Sequence, residues 1–438
     1  MEKLSQNIAD YLLRNYPLDV ISEGWYRNIV YAILILVVAV AVFAFALIVA
    51  ALMTWLERRV AGRVQSRVGP NRVGPFGLLQ WMADGIKMIL KEDVVPAKAD
   101  KIMFLLAPYP VMVGVFAAFA SVPFGQLLIA TDLNVGILYL LAITSLVVVG
   151  ILMAGWASNN KWALLGGVRS AAQIVAYEVP SAMATLSIVL LSGTLSMQGI
   201  IKAQGGWPWE WYLFHNPFSF VAFFMYFTAA VAEGNRTPFD LPEAESELVS
   251  GYNTEYSGIR FGGFFLGEFA NIYLMSAIAA TLFFGGWQIP MVTPEQQASS
   301  VILQLIGLCI FIAKASAGCF LVVWLRWTLP RLRVDQLTSL CYKYLLPISF
   351  VCLLGNAIYI WVIPAGSLID KLVHYGMAAF GGLLVAVFFW RVVHHMIHVG
   401  DKFYLWIFAR GSFEATFDPA IQKRRYGRFR KRRHGEAY

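Results

Sequence analysis

The stretch AEGNRTPFDLPEAESELVSGY, which begins at Ala232, packs Glu233, Asp240, Glu243, Glu245 and Glu247 into fifteen residues with one arginine among them, directly after an apolar run. Carboxylates crowded at such a boundary are suited to proton chemistry. Two like charges about 6 Å apart, at an effective dielectric of about 20, repel by roughly 3 kcal/mol, equivalent to about two pKa units. Part of the set is therefore expected to hold protons near neutral pH and to titrate as a coupled group. Pro238 and Pro242 make a rigid entry, and Glu243 and Glu247 share one face if a helix follows. A solvated acidic loop is the plainer alternative, and the apolar sequence close on both sides weighs against it. Glu255 and Arg260 continue the stretch. Glu178 in AAQIVAYEVP, Glu268 in FFLGEFAN and Lys314 lie at or within apolar segments, where an ionisable group is costly and needs a partner. Loop acids and buried acids could thus form one polar line.

A second constellation, from Glu57 to Asp93, is cationic. Five arginines fall between Arg58 and Arg72, interleaved with Gly and Pro, and Pro70 and Pro75 flank Asn71-Arg72. Attraction to anionic lipid accounts for part of this charge. Beyond Leu78 a helical period appears: Leu79, Met82, Ile86 and Ile89 form an apolar stripe, while Asp84 and Lys87 share another face. This predicts an amphipathic helix on or just inside a membrane surface, within a structured loop that faces a partner.

The elements that must position these groups are membrane spans. Of 438 residues 59% are hydrophobic and only 14% charged, where a soluble chain carries about 25% charged residues. Apolar segments near 29–55, 103–120, 135–156, 174–195, 217–233, 263–287, 301–325, 345–363 and 375–393 approach the length of about 20 residues needed to cross a bilayer. VPFG, GGWPW and GGWQIP punctuate the gaps as turns. The fold class expected is an all-α polytopic membrane protein with about nine spans. With nine, 28 of the 34 Lys and Arg fall on one side, which the positive-inside rule makes cytoplasmic; the N-terminus is then periplasmic. Four parts follow: a polar segment 1–28, an eight-helix core 29–365 with loops 56–102 and 234–262, an additional helix in 366–400 and a basic tail 401–438. The first 28 residues hold four acids, so no secretory signal is expected before the first span. GGWPWEWY at 205–212 fits an interfacial aromatic belt.

Other chemistry is poorly supported. Cys309, Cys319, Cys341 and Cys352 lack CxxC spacing and read as packing residues. His394, His395 and His398 have helical ligand spacing, yet at a span end beside Arg391 they read as an interfacial cluster rather than a metal or haem site. With no dinucleotide fingerprint or Walker-type loop, this chain is expected to bind no NAD, flavin or iron–sulfur cluster. No metal site and no self-contained catalytic site are expected.

The stretches ERRVAGRVQSRVGPNRVGPFGLLQWMADGIK, RSAAQIVAYEVP, AEGNRTPFDLPEAESELVSGYNTEYSGIRFGGFFLGEFAN and LRWTLPRLRVDQL resemble the signature segments of the H-subunit family of proton-pumping NADH:quinone oxidoreductase, respiratory complex I. The resemblance covers roughly residues 30–365. It implies an eight-span protein at the heel of the complex that helps enclose a quinone chamber, with ubiquinone or menaquinone as substrate, and couples its reduction to proton translocation. It also implies as partners the peripheral-arm quinone-site and terminal iron–sulfur subunits and the small membrane-arm subunits leading to the antiporter-like ones, in a bacterial inner membrane. Carried over by position, Arg58, Arg63 and Arg72 belong to the chamber loop. Glu233, Asp240, Glu243, Glu245, Glu247 and Glu255 form the acidic funnel, Glu178 and Glu268 the onward path, and Arg260 their countercharge. The related membrane component of a membrane-bound hydrogenase or ferredoxin-driven enzyme is the alternative, ahead of an autonomous transporter or a passive anchor. Two features depart from the family pattern: the extra span HYGMAAFGGLLVAVFFWRVVHHMIHVG and the tail IQKRRYGRFRKRRHGEAY. Lipid or another subunit is the expected contact of that tail, and nucleic acid is poorly motivated beside a membrane.

Overall fold

The computed structural model describes residues 23–241, 248–364 and 366–398, and every regular element among them is helical. The chain opens with α1 (Glu23–Val64), followed by the short α2 (Gln80–Leu90). The pairs α3 (Lys101–Leu106) with α4 (Pro108–Ala118), and α5 (Gly136–Thr144) with α6 (Leu146–Ala157), each make one broken rod. Then come α7 (Lys161–Ser192), α8 (Met197–Lys202), α9 (Pro217–Glu233) and α10 (Gly258–Phe283). The last are α11 (Pro294–Ser299), α12 (Val301–Thr328), α13 (Val334–Ser339), α14 (Leu346–Val362) and α15 (Leu368–His398).

Among the described residues eight rods are long and apolar enough to cross a membrane, and the chain is a polytopic membrane protein. The segment expected at 217–233 forms the shorter α9, of 17 residues. At 1.5 Å per residue that is about 25 Å, a little under a hydrocarbon core of roughly 30 Å.

Two helices run past their expected ends. α1 continues to Val64, so Arg58, Arg59 and Arg63 stand on its last turns rather than in a loop; arginine is a good helix former, and cations suit a helix C-terminus. α7 begins at Lys161 rather than near residue 174, capped by the Asn160 side chain, which accepts from the Trp162 N–H.

α10 is the axis of the bundle. Apart from Glu268 and Asn271, its GGFFLGEFANIYLMSAIAATLF sequence is apolar or small all round, the pattern of a helix buried on every face, and it packs on α1, α4 and α12. α7 organises the other half, against α6, α9 and α14. Pro180 inside α7 leaves the Ala176 carbonyl without its usual N–H donor. The Cys341 thiol donates to that oxygen at 3.1 Å, from a π-helical turn Leu340–Leu345, while the Tyr177 hydroxyl donates to the Leu337 carbonyl at 2.9 Å. Cys319 and Cys352 are buried and Cys309 exposed; all three, like Cys341, are free thiols.

Candidate functional site: a buried charge network at one end of the bundle

Charged side chains from five segments meet at the end of the bundle that carries the basic loops. Glu57, from the end of α1, faces Arg326 of α12 at 2.6 Å and Arg236, from the loop after α9, at 3.5 Å. Arg236 also reaches Glu268 of α10 at 3.8 Å and lies over the Phe269 ring, 4.2 Å from its centroid. Tyr252 donates its hydroxyl to Glu268 at 2.8 Å. Beside this chain, Arg331 reaches Asp240 at 3.1 Å. Glu57, Arg236 and Asp240 are all buried. Alternating signs make this burial tolerable, since an isolated buried ion carries a penalty of several kcal/mol. Burial pushes the Asp240 carboxyl above its ordinary range, against the opposing pull of Arg331, Arg326 and Arg236. Its Oδ1 is buried without a hydrogen-bond partner among the described residues.

Backbone and amide contacts hold the loop that carries these acids. Gln173 of α7 donates its amide to the carbonyls of Ala232 and Phe239, both at 2.7 Å. Asn235, in the left-handed region at φ 49°, donates to the Ser170 hydroxyl at 3.4 Å. Gly166 meets Gly251 so closely that a Cβ there would stand 2.7 Å from the Gly251 Cα. Ser257 ties the acidic loop to the cationic one: it accepts from the Val94 N–H at 2.9 Å and donates to the Glu92 carbonyl at 3.2 Å.

Glu233, at the end of α9, is buried and lines a cavity of about 20 Å³ together with Tyr226, Thr144, Ser181 and Thr185. That is room for about one water among several polar partners. Glu178 is half-buried on α7 and has no ion pair among the described residues. Glu255 is half-buried and accepts from the Asn160 amide at 2.7 Å. Arg260 does not pair with Glu178 or Glu268: it faces Asp93 at 3.0 Å, at the loop junction, and Arg236 holds the place beside Glu268. Position along α10 explains this, because Arg260 is in its first turn while Glu268 is two turns deeper. Arg58 pairs with Asp84 of α2, and Lys87 approaches the same carboxylate at 3.7 Å. Arg63 and Arg72 are exposed. The α2 stripe Leu79, Met82, Ile86 and Ile89 is exposed as well, so no other part of the described chain covers it. Lys314, on α12 with Arg326, donates to the carbonyls of Phe284 at 2.6 Å and Gly286 at 2.9 Å, at the opposite end of α10 from the network. Glu243, Glu245 and Glu247 lie outside the described residues, as do the side chains of His395 and His398. Among the described residues no group of His, Cys, Asp or Glu could hold a metal ion.

This arrangement coincides with the region that known proteins share with the chain. The family model described as NADH dehydrogenase matches residues 36–357. The H subunit of NADH-quinone oxidoreductase from Anaeromyxobacter dehalogenans is 53% identical over 361 residues, covering 79% of this chain and 87% of that protein. The chain belongs to this family. The H subunit from Dehalococcoides mccartyi strain CBDB1 is 47% identical, covering 78% of this chain and 90% of that protein. Its counterpart from Chlorobaculum tepidum is 48% identical, covering 75% and 92%. As a member of the H-subunit family, the chain is a component of an NADH-quinone oxidoreductase. The family match ends before α15 begins.

The sequence does not single out Glu57, Arg236, Arg326, Arg331, Asp93, Tyr252 or Gln173 as site residues. A signal existed for some. Glu57 is the lone acid at the end of the first apolar run, and Arg236 is the lone arginine among the clustered acids. Arg326 and Arg331 look like topology charges, because nothing local shows that their loop folds under the acidic one.

Proposed function

We propose that the chain forms much of the quinone-binding chamber of its complex and couples quinone reduction to proton translocation. The observation that carries this reading is the run Arg326–Glu57–Arg236–Glu268–Tyr252, five groups joined side by side in a buried setting. Reduction of a quinone takes up two electrons and draws two protons from its surroundings, so the quinone ends uncharged and the groups that give up those protons become more negative. A charge change at one end of an alternating, poorly hydrated chain alters the proton occupancy of the carboxyls along it. Asp240, Glu233, Glu178 and Glu255, with Glu243, Glu245 and Glu247 of the same loop, belong to the responding set. Arg58, Arg63 and Arg72 shape the cationic wall, and Arg260 fastens the loop junction through Asp93. The exposed apolar stripe of α2 suits a lipid-facing entrance for a long-tailed quinone.

In this reading nine helices, α9 included, cross a bacterial inner membrane. The basic loops face the cytoplasm, against the peripheral-arm quinone-site and terminal iron–sulfur subunits, and the small membrane-arm subunits take up the onward path. Ubiquinone or menaquinone is the substrate. The flavin and iron–sulfur chemistry belongs to partners.

The test is Arg236→Gln and, separately, Glu268→Gln in the assembled enzyme. NADH:quinone turnover and proton pumping are measured beside NADH:ferricyanide turnover, which reports the electron-input arm alone. Quinone turnover is expected to fall about tenfold or more, a barrier increase of about 1.4 kcal/mol, with ferricyanide turnover kept. Native quinone turnover and pumping in both variants would sink the proposal.

A further inference from the structure

α15 lies beyond the family match and is hardly buried against the rest of the described chain. Its apolar contacts with the core are few. Gly381 rides on the Phe214 ring, Phe380 meets Phe220 with centroids 6.0 Å apart, and Phe388 meets Trp324 at 6.5 Å. In a bilayer such contacts have little hydrophobic drive, because lipid tails are as apolar as the side chains they replace. Polar contacts must therefore do much of the docking, and they sit together at the first turns of α15. Asp370 accepts from the Tyr359 hydroxyl of α14 at 2.8 Å and from the Gly366 N–H at 3.0 Å. His215, just before α9, lies 3.9 Å from the same carboxylate. The His374 ring is 5.5 Å from that of His215, and its Nδ1 is buried with no hydrogen-bond partner among the described residues.

We propose that this cluster is a polar latch that holds α15 on the family core at neutral pH and loosens when the medium on that face becomes acidic. The groups facing His215 are Asp370 and His374 from α15, Tyr359 from α14, and Tyr212 from its own loop. His374 is faced in addition by Glu210. Burial holds the His215 imidazole below its usual range; Asp370 opposes this, and His374 adds to it. Asp370, already engaged by Tyr359 and Gly366, is the one carboxylate that both rings face; Glu210 and the Trp209 backbone support His374 alone, so two imidazoliums would still stand side by side with their rings 5.5 Å apart. The sign follows. Undocked, an exposed imidazole takes its ordinary value of about 6.5. The undocked state then binds more protons, so docking is complete above that value and weakens as pH falls through it. The face concerned is opposite the basic loops. That it meets the compartment receiving protons rests on the orientation proposed above; the latch itself does not.

The test uses the full chain in its complex, with the exposed Cys309→Ser and spin labels at Lys202→Cys and Lys371→Cys. Pulsed EPR distances are recorded at about pH 7.5 and about pH 5.5, either side of the ordinary imidazole value. The native latch is expected to give one narrow distance peak at the higher pH and to lose about half of it at the lower, as for a two-state shift. His215→Gln with His374→Gln should keep the peak at both, and Asp370→Asn should lose it at both. An identical peak at both pH values with the native latch residues overturns the proposal, as does a full peak at both with Asp370→Asn. The native measurement decides even where a variant does not assemble.

Discussion

At the scale of single residues, Asp240 is the group whose environment can be tuned most directly. It is buried, its carboxyl is pushed up by that burial, and Arg331 at 3.1 Å is the first of three cations that hold it down. Arg331→Gln removes a charge that favours the carboxylate, so the Asp240 value must rise further. The expected outcome is that the acid limb of the pH–rate profile for NADH:quinone turnover moves to higher pH, while Arg333→Gln, an exposed neighbour, leaves it in place. A profile that does not move in Arg331→Gln would show that Asp240 does not titrate in the working enzyme. Part of this site can be anticipated from residue types: Glu233, Asp240 and Glu268 stand out as acids beside or within apolar sequence. Their partners cannot be anticipated in the same way. Arg326 and Arg331 are distant in sequence from Glu57 and Asp240, and only the crossing of α12 beside α1 and α10 brings them within reach. The reassignment of Arg260 to Asp93 has the same origin, because the loop junction through Ser257 is a tertiary contact.

At the scale of elements, the apolar runs read from the sequence coincide with the long apolar helices among the described residues, and composition says little about where α1 and α7 stop or start. Both extend into polar sequence because local helix formers carry them there, and the consequence is functional: the arginines after Glu57 project from a rigid rod. α7 positions the acidic loop through close backbone approach, and Gly166 is the clearest case. A methyl group there would come within 2.7 Å of the Gly251 Cα and 2.9 Å of the Tyr252 N, both backbone atoms. Gly166→Ala must therefore push the loop away and with it the Tyr252 hydroxyl that holds Glu268. Overpacking of this kind costs about 1–3 kcal/mol. The predicted result is a lower thermal midpoint for the complex together with reduced quinone turnover. Gly376→Ala in α15 is the matched control, since nothing lies within 4 Å of its added methyl group. An exposed helical glycine gains roughly 0.5–1 kcal/mol from alanine, so this variant should be no less stable than the native chain. Equal losses in both variants would refute close packing of α7 on the loop.

At the scale of the whole molecule, the chain divides by how tightly its parts depend on one another. α10 is enclosed by α1, α4 and α12, and the charge network draws on α1, α10, α12 and the loop after α9, so none of these can be removed without exposing ions. α15 differs in kind. Among the described residues it contributes nothing to the network and its polar anchors touch Tyr359, Gly366 and the loop that carries Glu210 and His215, and it lies outside the family match. Deleting residues 366–438 should therefore leave the core folded and the site intact. The measurement is co-purification of the truncated chain with its partner subunits, followed by NADH:quinone turnover. The expected outcome is an assembled complex with at least half of native turnover. Loss of assembly would instead mean that α15 or the residues after it form a contact with another subunit on which the complex depends. In that case the exposed side of α15 is a protein interface, and the latch at Asp370 sets its position for that partner rather than for this chain alone.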